Sequence, residues 1–138
     1  MLMLLHLEGR SARAHYPVIR AATAGCLAVA AALLLRVQRV EVLGDSMRPA
    51  LEPGDRLLVL RTAHVRTGDM VALVDPREPD RLVIKRVASC SSSELMVLGD
   101  NPAASTDSRT FGPVSRNALR GRAVYRYFPV ERRARLGR

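Results

Sequence analysis

The sequence predicts a mainly β protein, built as a small barrel or folded sheet and preceded by one N-terminal helix. From Val40 onward, short apolar runs alternate with polar turns rich in glycine, proline and aspartate, a spacing typical of short strands. The length of 138 residues favours one compact domain. Upstream, residues 21–35 carry no charge and are rich in alanine and leucine, which favours a helix.

This uncharged N-terminal run lies between Arg20 and Arg36 and falls short of the roughly 20 residues that a spanning helix needs. Flanking apolar residues lengthen it, and arginines at its ends can extend toward water. We therefore predict a basic segment over residues 1–17 and a single transmembrane helix over residues 18–37. The larger arginine cluster upstream favours a cytoplasmic N-terminus. A soluble alanine-rich helix in a cytoplasmic protein is the alternative.

The charge is strongly basic, with 22 Lys and Arg against 13 Asp and Glu, a formal net charge of +9. Aromatic residues make up only 4% and do not interleave with the basic ones, which argues against a nucleic-acid partner. Cys26 and Cys90 do not form a disulfide framework, and no Cys/His cluster has metal-ligand spacing. We predict no metal and no cofactor.

The remaining chain is predicted as one catalytic domain over residues 38–131, followed by a basic, frayed tail over residues 132–138. Polar loops are expected over residues 75–80 and 89–93. The predicted strands cover residues 40–43, 56–61, 70–74, 81–88, 94–98 and 121–130.

A polar turn, Gly44-Asp45-Ser46-Met47-Arg48-Pro49, follows the first apolar run. Glycine before the serine permits an unusual backbone angle, and Pro49 fixes its own φ. A serine on such a turn points its hydroxyl outward from a rigid scaffold, which suits a nucleophile. Taken alone, it fits an ordinary polar turn between two strands better than a catalytic one.

Lys85 lies in the apolar run of residues 81–88, where alternation places it on one face with Val83 and Val87. A lysine on an inward face is costly unless it is neutral or paired. Desolvation lowers its pKa toward neutrality, as a general base requires. An exposed lysine on an edge strand is the alternative.

A third polar segment, residues 99–109, separates two apolar strands. Asp107 and Arg109 are spaced to pair or to brace a loop, and the Ser105 hydroxyl is available to an amine. On its own, the segment fits a turn-rich connector.

Together, these three segments resemble the signal peptidase I family of serine proteases (S26). The resemblance covers roughly residues 40–130 and implies Ser46 as nucleophile and Lys85 as general base. It further implies that Ser105 orients the lysine amine and that Asp107 and Arg109 brace the site. The Ser46 backbone N–H, with help from around Gly44, would form the oxyanion hole. The other residues that carry the motif match are Met47, Pro49, Gly99, Asp100, Asn101 and Ser108.

Within that family, the chain is most similar to the short maturation proteases of nickel-type superoxide dismutase. The segments Asn101-Pro102-Ala103-Ala104-Ser105 and Arg109-Thr110-Phe111-Gly112-Pro113-Val114, the residues 121–129 and the short length carry this likeness. It implies a polypeptide substrate, the dismutase precursor, whose N-terminal propeptide would be removed. The long insertion that larger members carry between Lys85 and Gly99 is missing, and a general signal peptidase is the alternative.

Two other classes of protein compete with this interpretation. A self-cleaving repressor would use the same chemistry but needs a DNA-binding helix-turn-helix, and residues 1–39 are too short and apolar for one. A membrane-bound binding module without catalysis is opposed by the intact set of Ser46, Lys85 and Ser105.

Overall fold

The structure is a computed structural model that describes residues 25–32 and 36–137. The chain divides into two units, Met1–Leu35 and Arg36–Arg138. In the first unit, residues 25–32 form a helix, α1. The predicted basic segment and half of the predicted transmembrane helix, residues 18–24 and 33–35, lie outside the described residues. Within these described residues, no helix has the length and apolar character needed to cross a bilayer.

The second unit is mainly β, as predicted, and its strands form one antiparallel sheet. The order along the sheet is β1-β2-β7-β3-β4-β5-β6, with β8 paired to β7. Among the described strands, the ends of this path do not pair with each other, so the sheet is folded but open rather than a closed barrel. The strands are β1 (Val37–Glu41), β2 (Arg56–Leu60), β3 (Met70–Asp75), β4 (Glu78–Cys90), β5 (Glu94–Leu98), β6 (Val114–Ser115), β7 (Leu119–Phe128) and β8 (Ala134–Arg135).

Short helical turns connect the later strands. Helix α2 (Ser108–Phe111) begins after Asp107, whose side chain accepts a hydrogen bond from the Arg109 N–H as an N-cap. Single 3₁₀ turns cover Pro102–Ala104, Arg116–Ala118 and Val130–Arg132.

The central strand β3 is buried on both faces, because each face packs against a different core cluster. Met70 and Ala72 belong to the first core cluster, whereas Val71 and Leu73 belong to the second. The other members of the first core cluster are Val42, Met47, Leu51, Leu57, Val59, Ile84 and Ala123. The other members of the second are Val65, Val87, Leu95, Val97 and Val114.

Several strand boundaries differ from the prediction, among them the start of β1 and both ends of β4. Val37, predicted as the end of the helix, begins β1 because it pairs with Leu60 of β2. The predicted polar loop over residues 75–80 is a tight hairpin turn, and β4 already begins at Glu78. The Asp75 carboxylate closes this turn by accepting hydrogen bonds from the Arg77 N–H and Nε, both at 3.0 Å. The other end of β4 also runs further, to Cys90, into the predicted loop.

Residues 132–136 of the segment predicted as a frayed basic tail are held against the sheet. Val130–Arg132 forms a 3₁₀ turn, and β8 pairs with β7. The Leu136 N–H donates to the Val124 carbonyl at 3.0 Å, and the Leu136 side chain packs on the first core cluster. The apolar contact of Leu136 and the pairing of β8 therefore hold this segment against the sheet, although its basic composition predicts a solvent-exposed tail.

Candidate active site

The Ser46 turn is held in place by its buried neighbours. Met47 and Leu51 are 1% and 0% exposed and fill the first core cluster. The Leu51 N–H donates to the Met47 carbonyl at 2.8 Å, which closes one helical turn directly after the serine. Ser46 itself is half-buried. Two buried side chains thus fix the backbone on which the serine hydroxyl is presented.

Gly44 does not have the backbone conformation that the sequence suggested. Its φ is not positive, and a Cβ built there would meet no atom within 4 Å. The prediction of an unusual backbone angle at this glycine is therefore wrong. Pro49 also lies exposed on the outer side of the turn.

Lys85 lies on β4 and is only 4% exposed, which confirms the inward face predicted from its position between Val83 and Val87. Its Nζ donates to the Ser105 Oγ at 3.0 Å. Burial lowers the pKa of Lys85 below its ordinary value, against the opposing charge of Asp107, and Arg81 adds to the lowering. Lys85 is also the one lysine among the 22 Lys and Arg of the chain. Arginine stays protonated in proteins, so only lysine supplies a basic amine here.

Ser105 connects the lysine amine to a fully buried carboxylate. Its hydroxyl donates to the Asp107 Oδ2 at 2.6 Å, which leaves its oxygen free to accept from Lys85. Asp107 is 0% exposed and accepts further hydrogen bonds from the Arg109 Nε at 2.9 Å and the Gly99 N–H at 2.8 Å. Hydrogen bonding by Arg109 is the main reason that the pKa of Asp107 lies far below its usual range. Asp107 therefore remains ionised and fixes the direction of the Ser105 hydroxyl.

Gly99 and Asn101 join this chain of hydrogen bonds to the Ser46 turn. The Asn101 N–H donates to the Ser46 carbonyl at 2.9 Å, and its side-chain amide donates to the Asp45 carbonyl at 3.2 Å. A Cβ at Gly99 would lie 2.6 Å from the Ser46 carbonyl oxygen and would also collide with the Ser105 Oγ. The close approach of these two segments leaves room for glycine alone.

Asp100 and Ser108 hold neighbouring segments together. The Asp100 carboxylate forms a two-point ion pair with Arg86, at 2.8 and 2.7 Å, and Arg86 also donates to the Gly68 carbonyl at 2.9 Å. The buried Ser108 hydroxyl accepts from the Val97 N–H at 2.9 Å. Arg86 was not identified from the sequence as a supporting residue. Two signals could have found it: it lies next to Lys85 on the opposite face of the strand, and Asp100 offers it an acidic partner.

Ser46 and Lys85 both line one cleft, which has a volume of about 650 Å³. One wall is formed by residues 40–47, from the end of β1 into the Ser46 turn, and the other by residues 80–85 of β4. Arg77, Ala104 and Thr106 complete the lining. A hydroxyl and a desolvated amine in one cleft, the amine held by a serine and an ionised aspartate, suit proton abstraction followed by nucleophilic attack. Among residues 25–32 and 36–137, no three His, Cys, Asp or Glu side chains group as metal ligands.

A protein-family model and several known proteases are similar to this chain. The family model "Signal peptidase, peptidase S26" matches residues 16–92 and 88–128. The chain is 35% identical over 126 residues to mitochondrial inner membrane protease subunit 2 of Mus musculus, an alignment that covers 72% of this chain and 71% of the relative. It is 32% identical over 122 residues to mitochondrial ATP-independent inner membrane protease subunit 1a of Arabidopsis thaliana, covering 69% of this chain and 73% of the relative. The chain therefore belongs to the signal peptidase family, peptidase S26, and is a signal peptidase-like protease.

Proposed function

We propose that this protein is a serine endopeptidase with a Ser46–Lys85 dyad that removes the N-terminal propeptide of a nickel-type superoxide dismutase. The observation that carries the dyad is the buried Lys85 amine, bonded to Ser105 at 3.0 Å and lining one cleft with Ser46. Asp107 and Arg109 support the lysine through Ser105.

In the proposed mechanism, the neutral Lys85 amine takes the proton from the Ser46 hydroxyl, and the Ser46 oxygen attacks the scissile carbonyl carbon. The Ser46 N–H and groups around Gly44 donate to the oxyanion, and each such donor is typically worth about 3–4 kcal/mol. When the C–N bond breaks, the Lys85 ammonium gives its proton to the leaving amine. Lys85 then takes a proton from a water molecule as the water oxygen attacks the Ser46 ester. When the ester C–O bond breaks, the Lys85 ammonium returns that proton to the Ser46 oxygen, which releases the acid and restores the serine hydroxyl and the neutral amine.

The substrate is proposed to bind as an extended strand in the cleft. Among the described strands, residues 82–85 of β4 pair only with β3, and β1 pairs only with β2. Each therefore presents an unpaired backbone edge to the cleft, where a peptide can add as a strand. The resemblance to signal peptidases implies small residues before the scissile bond.

The choice of substrate rests on the likeness of residues 101–105, 109–114 and 121–129 to the nickel superoxide dismutase maturation proteases. General signal peptide cleavage is the second candidate, and membership in peptidase S26 favours it equally.

Cleavage of two purified precursors separates these candidates. We expect the full-length protein to cut a nickel-type superoxide dismutase precursor once, at the propeptide junction, and to cut a secretory preprotein more slowly. Mass spectrometry of both products over a time course measures this, with the Ser46→Ala protein as the control. Faster cutting of the secretory preprotein would favour a general signal peptidase. Failure to cut either precursor would overturn the proposed activity.

We also propose that residues 18–35, without the end of the predicted helix that belongs to the sheet, hold the protein on a membrane, as inferred from the uncharged run between Arg20 and Arg36. The relatives named above are inner membrane proteases, which supports a membrane location. The expected result is that the full chain stays in the membrane fraction after high-salt and carbonate washes, because apolar insertion resists both. A variant that begins at Arg36 is the matched control and should be released. Complete release of the full chain would leave the soluble-helix alternative.

A further inference from the structure

The segment of residues 130–136, here called the C-terminal clasp, turns back after β7 and pairs with it. β8 pairs with β7 through Tyr125 and Arg126, and Leu136 packs on the first core cluster. That cluster also holds Met47 and Leu51. The clasp therefore packs on the same apolar cluster as the two side chains that fix the backbone directly after Ser46.

A buried carboxylate joins the clasp to the other end of the same turn. Asp55 is 1% exposed and receives Arg132 Nη1 on its Oδ1 and Arg126 Nη1 on its Oδ2, both at 3.2 Å. Its Oδ2 also accepts from the Glu52 N–H at 2.9 Å. Arg132 Nη1 reaches the Glu52 carboxylate as well, at 2.8 Å.

Arg126 extends this network into the turn itself. Its Nη1 donates to the Ala50 carbonyl at 2.9 Å, and its Nε donates to the Arg132 carbonyl. Ala50 directly precedes Leu51, whose N–H is bonded to the Met47 carbonyl. The ion cluster of Asp55, Arg126 and Arg132 is therefore connected to Met47, the residue after Ser46, through the backbone of Ala50 and Leu51.

We infer that the C-terminal clasp is a positioning device for the Ser46 turn, acting through Arg132, Arg126 and Asp55. The inference rests on the proposed role of Ser46 as nucleophile. A buried ion cluster contributes little net stability over apolar packing, but its directional hydrogen bonds favour one geometry of the groups that it joins. The cluster fixes residues 50, 52 and 55 relative to β7. It makes no hydrogen bond to Lys85, Ser105 or Asp107 among the described residues.

This separation predicts a specific kinetic pattern for Arg132→Ala in the full chain. Loosening the Ser46 turn should lower kcat by about tenfold or more, since small misplacements of a reacting group are costly. KM should change little from that of the unaltered protein, because the variant does not alter the unpaired edges of β1 and β4, where the substrate is proposed to bind. The acid limb of the pH profile should not move, because the surroundings of Lys85 are unchanged. The rate at which a fluorophosphonate probe labels Ser46 should fall with kcat.

Arg133→Ala is the matched control. The Arg133 side chain is exposed, and its Nε donates to the Tyr127 carbonyl rather than to Asp55 or Glu52. This variant removes the same side chain one residue away and should leave kcat unchanged. Arg132→Lys keeps the charge and should recover part of the lost rate. Asp55→Asn should reproduce the loss of Arg132→Ala, and the double variant should lose little more, because both act through one contact. Arg132→Ala also keeps Arg126 on Asp55, so it remains informative if Asp55→Asn fails to fold.

Three results would overturn the inference: Arg132→Ala and Arg133→Ala with equal kcat, a rise in KM with kcat unchanged, or a rate loss that equals the lost fraction of folded protein. Circular dichroism at the assay temperature measures that fraction. Failure of the proposed function looks different, because Ser46→Ala would then cleave as well as the unaltered protein.

Discussion

Replacement of Ser46 or of Lys85 by alanine should abolish peptide cleavage while leaving the fold intact. Each variant should lose at least about 10³-fold in kcat, as is typical when one member of a catalytic unit is removed. The reason is that Lys85, buried and bonded to Ser105, shares a cleft with the Ser46 hydroxyl. Initial rates on a peptide with small residues before the scissile bond measure this loss.

The double variant distinguishes a dyad from two independent residues. Groups that act as one unit lose activity non-additively, so Ser46→Ala combined with Lys85→Ala should be little worse than either change alone. Ser92→Ala, in an exposed turn, is the serine control and should retain full activity. Near-normal turnover of Lys85→Ala would show that another group takes the serine proton.

The burial of Lys85 could be predicted from the sequence, because strand alternation is a local rule and Val83 and Val87 flank the lysine. Its contact with Ser105 could not be derived in that way, since the two residues are 20 positions apart on different elements. Only the resemblance to signal peptidases suggested it. Similarly, Met47 and Ser108 belong to the recognised motif, and the structure adds that both are buried: Met47 packs in the first core cluster, and the Ser108 hydroxyl accepts from the Val97 N–H.

The parts of the site that were missed depend on long-range pairing of charges. Asp55 and Arg126 are 71 residues apart, and many arginines in the chain are equivalent by composition. No local pattern distinguishes the arginine that meets a buried carboxylate from one in solvent. For the same reason, Arg132 appeared to belong to a frayed tail, although it binds Asp55 and Glu52.

Cleavage should increase toward alkaline pH, because only the neutral Lys85 amine can accept the Ser46 proton. Desolvation lowers the pKa of Lys85, and Arg81 and Arg77 add to this, while the carboxylates of Asp107 and Asp75 oppose it. The acid limb of kcat/KM should therefore report the Lys85 titration in the free enzyme. Because the chain has one lysine, selective ¹³C labelling of lysine gives one side-chain signal, and its pH titration measures the same pKa directly.

The same lowered pKa has a consequence for stability. Between the folded pKa and the unfolded value of about 10.4, the unfolded state binds more protons, so stability rises with pH. Below the folded pKa, both states are protonated and the full cost of the buried charge remains. Lys85→Met removes the charge and keeps much of the side-chain volume. It should therefore eliminate activity while preserving or raising stability at pH 6, with a smaller gain at pH 9.

Thermal melts of both proteins at pH 6 and pH 9 decide between a lysine tuned for chemistry and one that serves the fold. In the first case, the methionine protein melts at or above the unaltered protein at pH 6, and the difference narrows at pH 9. If Lys85 were instead a structural partner of Asp107, its loss would leave that buried carboxylate with less compensating charge. The methionine protein would then be clearly less stable at both pH values. The Arg109 guanidinium, which donates to Asp107 independently of Lys85, is the physical reason to expect the first outcome.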